Sequence, residues 1–362
     1  MRRHRRWNLI IKELFDPKGT EMRIKRDDLL KELRIVEGGI SDKETVEQSN
    51  CFVFQKDMVM THNDEVACQT KCCLPITGAV NAKMLLKTLA TWPYEYIEFK
   101  STKNKLRFRG KDAKGALRME SQILLPISKI GIPKKWKKLP KEFQESIKLV
   151  GGCVSKNSAA PHLCCINFLP DWMEACDGVQ AGRLTIKLPF KESTLIKRDS
   201  LRWVQNASVT AVGMTKNWVH FKNKDGLIIS CRKFIEDYPT DKLTVIFKTK
   251  GVPAKLPKEL KDVVGRLDYY LDDSAVTQWL IVEIDKDHIE ITGSGNSGKQ
   301  TITKKAKYKG EAIGFNINPS LLRELGREHD KCRISKNIIK IEKDNFQYIT
   351  SLWVKKDEEE KE

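Results

Sequence analysis

The feature of this sequence that most restricts its fold is a helical pattern that returns at a nearly constant interval. Six segments place apolar residues at helical spacing, and their starts recur every 55 to 62 residues. The predicted helices span residues 26–36, 81–92, 137–150, 197–207, 256–271 and 318–331. Their apolar anchors, separated by 56, 58, 58, 59 and 61 residues, are Leu29, Leu85, Phe143, Leu201, Leu260 and Leu321. A recurrence of this kind indicates an internal repeat.

The ends of these segments support the helix assignment. Residues that favour a helix N-terminus open each one: Asp27, Asp28, Asn81, Pro140, Asp199, Ser200, Pro257, Asn318 and Pro319. Between the helices the chain alternates apolar and polar residues around a polar turn, as in 96–110, 217–234 and 279–303, which predicts strands. Each unit therefore combines one helix with several strands.

The repeat also predicts how the chain is divided. A unit of about sixty residues has one helix stripe and one sheet face to bury, and a second unit can cover both. Six units then form three domains. Proline and turn residues cluster near 124–133 and 237–253. We predict domains at 22–122, 123–245 and 246–354, an N-terminal extension at 1–21 and an acidic tail at 355–362.

The charge of the chain indicates a polyanionic partner. Lysine and arginine number 66 against 48 aspartate and glutamate, a formal net charge of +18. Every predicted helix carries lysine or arginine at exposed positions, so equivalent faces of a repeat would add their fields. The alternative is an ordinary soluble surface, because helices are generally rich in these residues and acidic residues accompany them here. Composition leaves both interpretations open.

One stretch resembles a phosphate-binding loop. In GSGNSGKQ, Gly293, Gly298 and Lys299 match the G-x-x-x-x-G-K-[ST] pattern, but Gln300 stands where a hydroxyl is required and Thr301 comes one residue late. Such a loop must lead from a strand into a helix, whereas both flanks here alternate as strands. The stretch is predicted to be the tip of a hairpin.

The sequence gives little indication of disulfide bonds, metal sites or cofactor sites. The ten cysteines lack a repeating spacing, and Cys51, Cys153, Cys164, Cys165 and Cys231 lie in apolar runs typical of reduced core thiols. Metal binding is not favoured either, because the cluster Cys68, Cys72 and Cys73 has no second ligand pair at zinc-finger spacing. We expect no cofactor. The absence of a long apolar run and of a secretory leader favours a cytoplasmic protein without a membrane span.

Several strings resemble the bacterial sliding clamp family, the beta subunit of DNA polymerase III. They occur in the right order and spacing over 22–353: MRIKRDDLLKEL, TGAVNAKMLLKTL, WKKLPKEF, MEACDG, SCRKFIEDYP and, most specific, YKGEAIGFNINPSLLREL. The resemblance implies an α+β clamp fold in which two chains close head to tail around duplex DNA, with helices inside and antiparallel sheets outside. It also implies a processivity factor without catalysis, which serves a replicative polymerase and a clamp loader.

Two sets of residues follow from the resemblance. We call the DNA-contact candidates the cation set: Lys25, Lys31, Lys43, Lys83, Lys87, Lys138, Lys141, Lys148, Lys156, Lys197, Arg198, Arg202, Lys258, Lys261, Arg266, Arg323 and Arg327. They would hold the DNA phosphates without sequence preference. We call the peptide-binding candidates the partner groove: Cys176, Gly178, Val179, Gln180, Ala181, Pro239, Thr350, Leu352 and Trp353.

The departures from the family concentrate at this groove and at the ends of the chain. Val179, Gln180 and Ala181 replace the usual His-Arg-Leu run, so the preferred peptide is expected to differ. The tail SLWVKKDEEEKE replaces a Met-Pro ending, and 1–21 has no counterpart. Such divergence would suit a clamp encoded by a phage and acting in the host cytoplasm.

Two other functions compete with a clamp. A nuclease or P-loop ATPase would need a paired-carboxylate metal site or an intact phosphate loop, and neither stands out. Asp177, the residue most easily interpreted as catalytic, is expected to shape its turn. A basic DNA-binding protein that does not form a ring would explain the charge but leave the repeat unexplained.

Overall fold

A computed structural model of the chain describes residues 22–271, 279–319, 322–323 and 331–352. Six α-helices lie in this part: α1 (Arg26–Ile35), α2 (Ala82–Thr91), α3 (Phe143–Val150), α4 (Arg198–Gln205), α5 (Thr240–Phe247) and α6 (Leu260–Leu267). Short 3₁₀ turns occur at Glu37–Gly39, Ile127–Lys129, Gly151–Cys153, Pro161–Cys164 and Asp268–Tyr270. None of the described helices has both the length and the apolar character needed to cross a membrane.

Strands make up most of the remaining structure. In chain order they are β1 (Met22–Lys25), β2 (Cys51–Gln55), β3 (Met58–His62), β4 (Val66–Lys71), β5 (Thr77–Asn81), β6 (Tyr96–Thr102), β7 (Lys105–Arg109), β8 (Lys114–Glu120), β9 (Lys137–Lys138), β10 (Cys165–Phe168), β11 (Trp172–Cys176), β12 (Gln180–Thr185), β13 (Thr194–Lys197), β14 (Ala211–Met214), β15 (Trp218–Lys222), β16 (Ile228–Phe234), β17 (Val252–Lys255), β18 (Leu280–Ile284), β19 (His288–Gly295), β20 (Gly298–Lys305), β21 (Lys307–Tyr308), β22 (Ile313–Ile317), β23 (Lys331–Ile334), β24 (Ile338–Lys343) and β25 (Phe346–Ser351).

The chain divides into two compact units. Unit 1 combines the described residues up to Ile147 with Ile196–Phe234, and unit 2 combines Lys148–Leu195 with the described residues from Ile235 onward. In unit 1 an antiparallel ladder runs in the order β1-β6-β7-β8-β5-β2-β3-β4-β16-β15-β14-β9. The division into three domains at 22–122, 123–245 and 246–354 stays a prediction.

Unit 2 contains two antiparallel ladders. One follows the order β10-β11-β12-β25-β24-β23-β17-β21. The other is a four-stranded sheet in the order β20-β19-β18-β22. In the first ladder, strands far apart in sequence, such as β12 and β25, become direct neighbours.

The helices bury the anchors that the repeat predicts. Leu29, Leu85, Phe143, Leu201 and Leu260 have no exposed surface, which confirms their place in the core. Leu321 lies outside the described residues. Asn81 caps α2 as expected, because its side-chain oxygen accepts a hydrogen bond from the backbone N–H of Met84 at 3.1 Å.

Two helix predictions need correction. The third helix begins at Phe143 rather than at Lys137, and Lys137–Lys138 forms strand β9 instead. Pro140 explains the shift, because a proline disfavours helical conformation in the residue before it. The segment 237–253 contains helix α5, which the sequence analysis did not predict. The sixth predicted helix, 318–331, lies mostly outside the described residues.

The phosphate-loop stretch is a hairpin, as predicted. Strands β19 and β20 pair Gly293 with Gln300 and Ser294 with Lys299, so a strand follows the lysine where a phosphate loop requires a helix. Gly298 has a φ of +142°, a conformation that favours glycine in a tight turn.

Candidate nucleic-acid interface and partner groove

Helices α1 and α2 of unit 1 bring part of the cation set together. The two helices pack side by side, with Leu29 and Leu85 inside. Their outer positions expose Lys31 on α1 and both Lys83 and Lys87 on α2. Residues three or four apart on a helix share a face, so the two α2 lysines form a short cationic row.

Most of the described cation set is free to meet an anion. Within the described residues these members are exposed and make no ion pair: Lys31, Lys43, Lys83, Lys87, Lys138, Lys141, Lys148, Lys156, Lys258, Lys261 and Arg266. They do not all lie on helices. Lys43 and Lys156 occupy loops, as predicted. Lys138 lies on β9, and Lys141 and Lys258 lie in the turns before α3 and α6, contrary to their predicted helical positions. Arg327 lies outside the described residues.

The remaining members of the cation set already have partners. Lys25 lies 3.0 Å from Glu95, and the hydrogen bond between them raises the pKa of this lysine. Lys197 donates to Glu65 at 2.6 Å. The other three are arginines. Arg198 lies 4.0 Å from Asp199, and Arg323 pairs with Asp268. Arg202 lies over the ring of Trp203.

A tight turn between β11 and β12 forms one side of the partner groove in unit 2. One carboxylate oxygen of Asp177 accepts hydrogen bonds from the backbone N–H groups of Val179 and Gln180, both at 2.8 Å. Its other oxygen accepts from the Gln180 amide at 2.9 Å. Gly178 completes the turn with a φ of +95°. Asp177 therefore shapes the turn, as predicted.

Strand β25 forms the next part of the groove. It pairs Thr350 with Gln180 and Ile349 with Ala181. The Tyr348 hydroxyl donates to the Gln180 side-chain oxygen at 2.6 Å. The predicted groove residues of β12 and β25 are thus direct neighbours. Leu352 is buried beside them, whereas Trp353 lies outside the described residues.

Helix α5, which the sequence analysis missed, packs against residues of the partner groove. Its residues Leu243 and Phe247 pack with Cys176, Ala181 and Ile349 in one buried cluster. Pro239, a predicted groove residue, occupies the N-cap position of this helix without a side-chain hydrogen bond. The spacing of Leu243 and Phe247, four residues apart, is the signal that could have revealed the helix.

Tyr238 joins the start of this helix to the edge of β11. Its hydroxyl accepts a hydrogen bond from the backbone N–H of Cys176 at 2.9 Å and donates to the sulfur of that residue at 3.5 Å. Burial raises the pKa of Tyr238 far above its ordinary value and also raises the pKa of the Cys176 thiol. Both groups therefore stay protonated at neutral pH.

A buried ion pair fixes α5 against the strands. Glu174 on β11 has no exposed surface, and Arg183 on β12 donates to it at 2.6 and 2.9 Å. The same carboxylate accepts from Trp172, Asn167 and Thr240, so its oxygens are well satisfied. Arg183 also donates to Thr244 at 3.0 Å and lies 4.7 Å from the centre of the Phe247 ring.

The accessible part of the groove is small. Cys176, Ala181, Thr350 and Leu352 are buried, and the Thr350 hydroxyl has no hydrogen-bond partner among the described residues. Val179 and Gly178 are exposed, and Gln180 and Pro239 are half-buried. On α5 the side chain of Val245 is 71% exposed. A partner would therefore meet the turn and the outer side of α5 first.

Unit 1 contains the arrangement closest to a nucleophile and its base. The Ser230 hydroxyl lies 2.8 Å from Nδ1 of His220, and the Thr215 hydroxyl lies 2.9 Å from Nε2. His220 is fully buried and Ser230 is 5% exposed. Burial lowers the pKa of His220 to about 4, so the ring is neutral at pH 7. His220 and Ser230 also line a cavity of unit 1, together with Cys68, Ile130 and Ile228.

The cysteines occupy the positions expected of core thiols. Cys51, Cys153, Cys165 and Cys231 are buried, and Cys164 is half-buried. Cys68 and Cys72 are also buried. Within the described ranges, no three His, Cys, Asp or Glu side chains are grouped so that they could hold a metal ion.

Comparison with known proteins identifies the architecture. No protein-family profile and no curated protein sequence matches the chain. Solved structures do match. DNA polymerase III beta subunit from Thermotoga maritima superposes with a TM-score of 0.76 at 14% identity, covering 92% of this chain and 98% of its own.

Two further solved structures agree. The DnaN sliding clamp of Bartonella birtlesii gives a TM-score of 0.80 at 13% identity, and the DNA polymerase III subunit beta of Borrelia burgdorferi gives 0.76 at 14%. Each covers 92% of this chain and 99% of its own length. The chain has the sliding-clamp fold. This confirms the predicted fold class and the resemblance over nearly the whole chain, at an identity low enough for a divergent sequence.

Proposed function

We propose that the chain is a DNA sliding clamp, a protein without catalytic activity that holds a replicative polymerase on duplex DNA. The observation that carries the proposal is the sliding-clamp fold over 92% of the chain, combined with exposed cations on or beside helices α1 to α4 and α6. Phosphate attraction of this kind is independent of sequence and lets a protein move along DNA.

The proposed assembly is a head-to-tail ring of two copies. Heterologous interfaces close into rings when the rotation between copies permits it. Within it we propose the three domains 22–122, 123–245 and 246–354, with the cation set toward the DNA. A clamp loader would open the ring, and the protein would work in the cytoplasm of a bacterium or of a phage-infected host.

The partner groove is proposed to receive a short peptide from the polymerase or the loader. Support comes from its apolar floor of Cys176, Ala181, Leu243, Phe247 and Ile349 and from the exposed Val179 at its rim. The exposed, apolar side chain of Val179 favours an apolar peptide residue beside it. The peptide would then differ from those that other clamps take.

Retention on plasmid DNA tests the proposal. The chain is loaded onto nicked circular plasmid by its cognate loader and then separated by gel filtration, with sedimentation to determine the oligomeric state. A clamp is a dimer that stays on circles and is lost when the plasmid is cut once. Binding that is indifferent to DNA ends would instead establish a basic DNA-binding protein that does not form a ring.

The matched variants use α2. Lys83→Glu with Lys87→Glu should reduce retention on circles, because both exposed lysines would repel phosphate. Lys56→Glu with Lys71→Glu changes the charge equally at two exposed positions of unit 1, in the turn after β2 and at the end of β4, and should retain the clamp. An equal loss of plasmid retention in both variants would contradict the proposal that α2 faces the DNA.

A further inference from the structure

A second cationic surface lies on strands rather than helices of unit 1. In the three-stranded run β6-β7-β8, alternate side chains point to one face. That face exposes six cations, which we call the strand cation patch: Lys100, Lys105, Arg107, Arg109, Lys114 and Arg118. The opposite face buries Ile97, Phe99 and Leu106, so the fold holds the patch toward solvent.

The pairing within this patch opposes sheet stability. Three cation pairs lie directly across neighbouring strands: Lys100 opposite Arg107, Lys105 opposite Arg118, and Arg109 opposite Lys114. Like charges directly opposite each other destabilise a sheet. A local arrangement that costs stability is typical of a functional surface.

Few acids neutralise the patch. Glu98 lies 2.7 Å from Arg109. Among the described residues, the other five patch members make no ion pair. Nearby acids have other partners, since Glu120 accepts a hydrogen bond from Gln48 at 3.0 Å and Asp112 accepts one from Tyr94. The positive charge therefore stays available to an external anion.

The dimensions of the patch suit a row of phosphates. From Lys105 to Arg109 the strand rises about 14 Å, at about 3.4 Å per residue, and three strands span about 10 Å. Each strand of duplex DNA carries one phosphate per about 3.4 Å of axis, so a surface of this length can contact more than one phosphate of the same strand. One extended peptide, at a strand spacing of about 4.8 Å, would cover only part of this width.

The surroundings favour contacts to the backbone over contacts to bases. Tyr96 is the exposed aromatic residue on these strands, and the Arg23 guanidinium covers its ring at 4.6 Å. Proteins that bind single strands generally stack bases on open aromatic rings. We propose that the strand cation patch is a binding site for the phosphate backbone of duplex DNA, separate from the cation set. The proposal does not depend on ring formation.

A charge-reversal pair at the centre of the patch tests it. In Lys105→Glu with Arg107→Glu, each new carboxylate faces a cation, Arg118 or Lys100, so the sheet should keep or raise its Tm. Loss of DNA affinity in a protein of equal or higher Tm cannot come from unfolding. The control, Lys216→Glu with Lys224→Glu, reverses two exposed turn cations of the same unit.

Fluorescence anisotropy with a labelled blunt duplex of about 20 base pairs measures the affinity from about 50 to 200 mM salt. The patch variant should bind about tenfold more weakly at the lowest salt. Its log–log salt slope should be less steep by about two, because two phosphate contacts are lost. The control should stay within about twofold of the parent protein.

Other outcomes overturn the proposal. Equal weakening of patch variant and control would show a general charge effect. Lost affinity for an oligo-dT single strand or a polyglutamate peptide, with duplex affinity unchanged, would assign the patch to that ligand instead.

The inference can be tested independently of the clamp function. If the parent protein fails plasmid retention while the patch variant still loses duplex affinity, the clamp function fails and this inference stands.

Discussion

Arg183 donates two hydrogen bonds to the fully buried carboxylate of Glu174, at 2.6 and 2.9 Å, across the pairing of β11 and β12. The two residues are directly opposite each other in the strand register. Because Thr240 and Thr244 bond to the same pair, the ion pair also positions helix α5, whose Leu243 and Phe247 pack with the predicted groove residues Cys176 and Ala181. The position of α5 and the stability of unit 2 therefore depend on this ion pair.

Replacing Arg183 alone should strongly destabilise the protein. Arg183→Leu leaves the Glu174 carboxylate buried without its cation, which should lower the free energy of unfolding by about 3 to 5 kcal/mol. Urea denaturation followed by circular dichroism measures this. The double variant Glu174→Gln with Arg183→Leu should recover part of the loss, because no buried charge remains unpaired. Lys187→Ala, which removes an exposed pair with Asp171, serves as the control and should have little effect.

The hydroxyl of Tyr238 should contribute a smaller amount. In Tyr238→Phe the backbone N–H of Cys176 loses its acceptor at a buried site, at a cost of about 1 to 3 kcal/mol. Tyr269→Phe is the matched control, because Tyr269 is 85% exposed and its hydroxyl is in water. Equal urea midpoints for the two variants would show that the Tyr238 hydroxyl bond contributes nothing to stability.

The core of the fold was predictable from the sequence because burial follows a local period. Leu29, Leu85, Phe143, Leu201 and Leu260 were identified from spacing alone, and all five are fully buried. Helix α5 was missed because Pro239 and the polar residues after it suggested a turn. The pair Glu174–Arg183 was missed for another reason: two charged residues nine positions apart become partners only once the strand register is known.

The candidate sites were predictable only in part. The resemblance identified the turn at Asp177 and the neighbouring strand β25, and the structure brings them together. It did not reveal the strand cation patch. Alternation in 96–110 predicted strands, but which cations of β6, β7 and β8 lie opposite one another depends on register, which the sequence does not show.

Low pH should destabilise unit 1, because His220 is buried as a neutral ring. Burial, and to a lesser extent the charge of Lys233, lowers the pKa of His220 from 6.5 to about 4. Between these two values the unfolded chain binds a proton that the folded chain does not. The contribution of the neutral His220 ring to the free energy of unfolding is therefore fully present above about pH 6.5. The free energy of unfolding falls by about 3 kcal/mol in all as the pH decreases toward 4.

Urea denaturation from about pH 7 to pH 4 checks this dependence. His220→Gln should flatten the curve, since the amide does not titrate. Some slope should remain, because burial lowers the pKa of His62 as well. A variant curve parallel to that of the parent protein would show that His220 is not the group responsible.

Two glycines of unit 2 should respond in opposite ways to alanine. A Cβ at Gly293, in the hairpin that resembles a phosphate loop, would lie 2.8 Å from the carbonyl oxygen of Leu267, so β19 and the end of α6 would have to move apart. Gly293→Ala should therefore lower stability by about 1 to 3 kcal/mol. Gly265 is exposed within α6 and has open space around it. Gly265→Ala should raise stability by about 0.5 to 1 kcal/mol, because glycine is the less favourable residue in a helix. Thermal unfolding of both variants measures the difference. An unchanged Tm for Gly293→Ala would contradict the close packing of this hairpin on α6, and a lower Tm for Gly265→Ala would contradict the open space around that glycine.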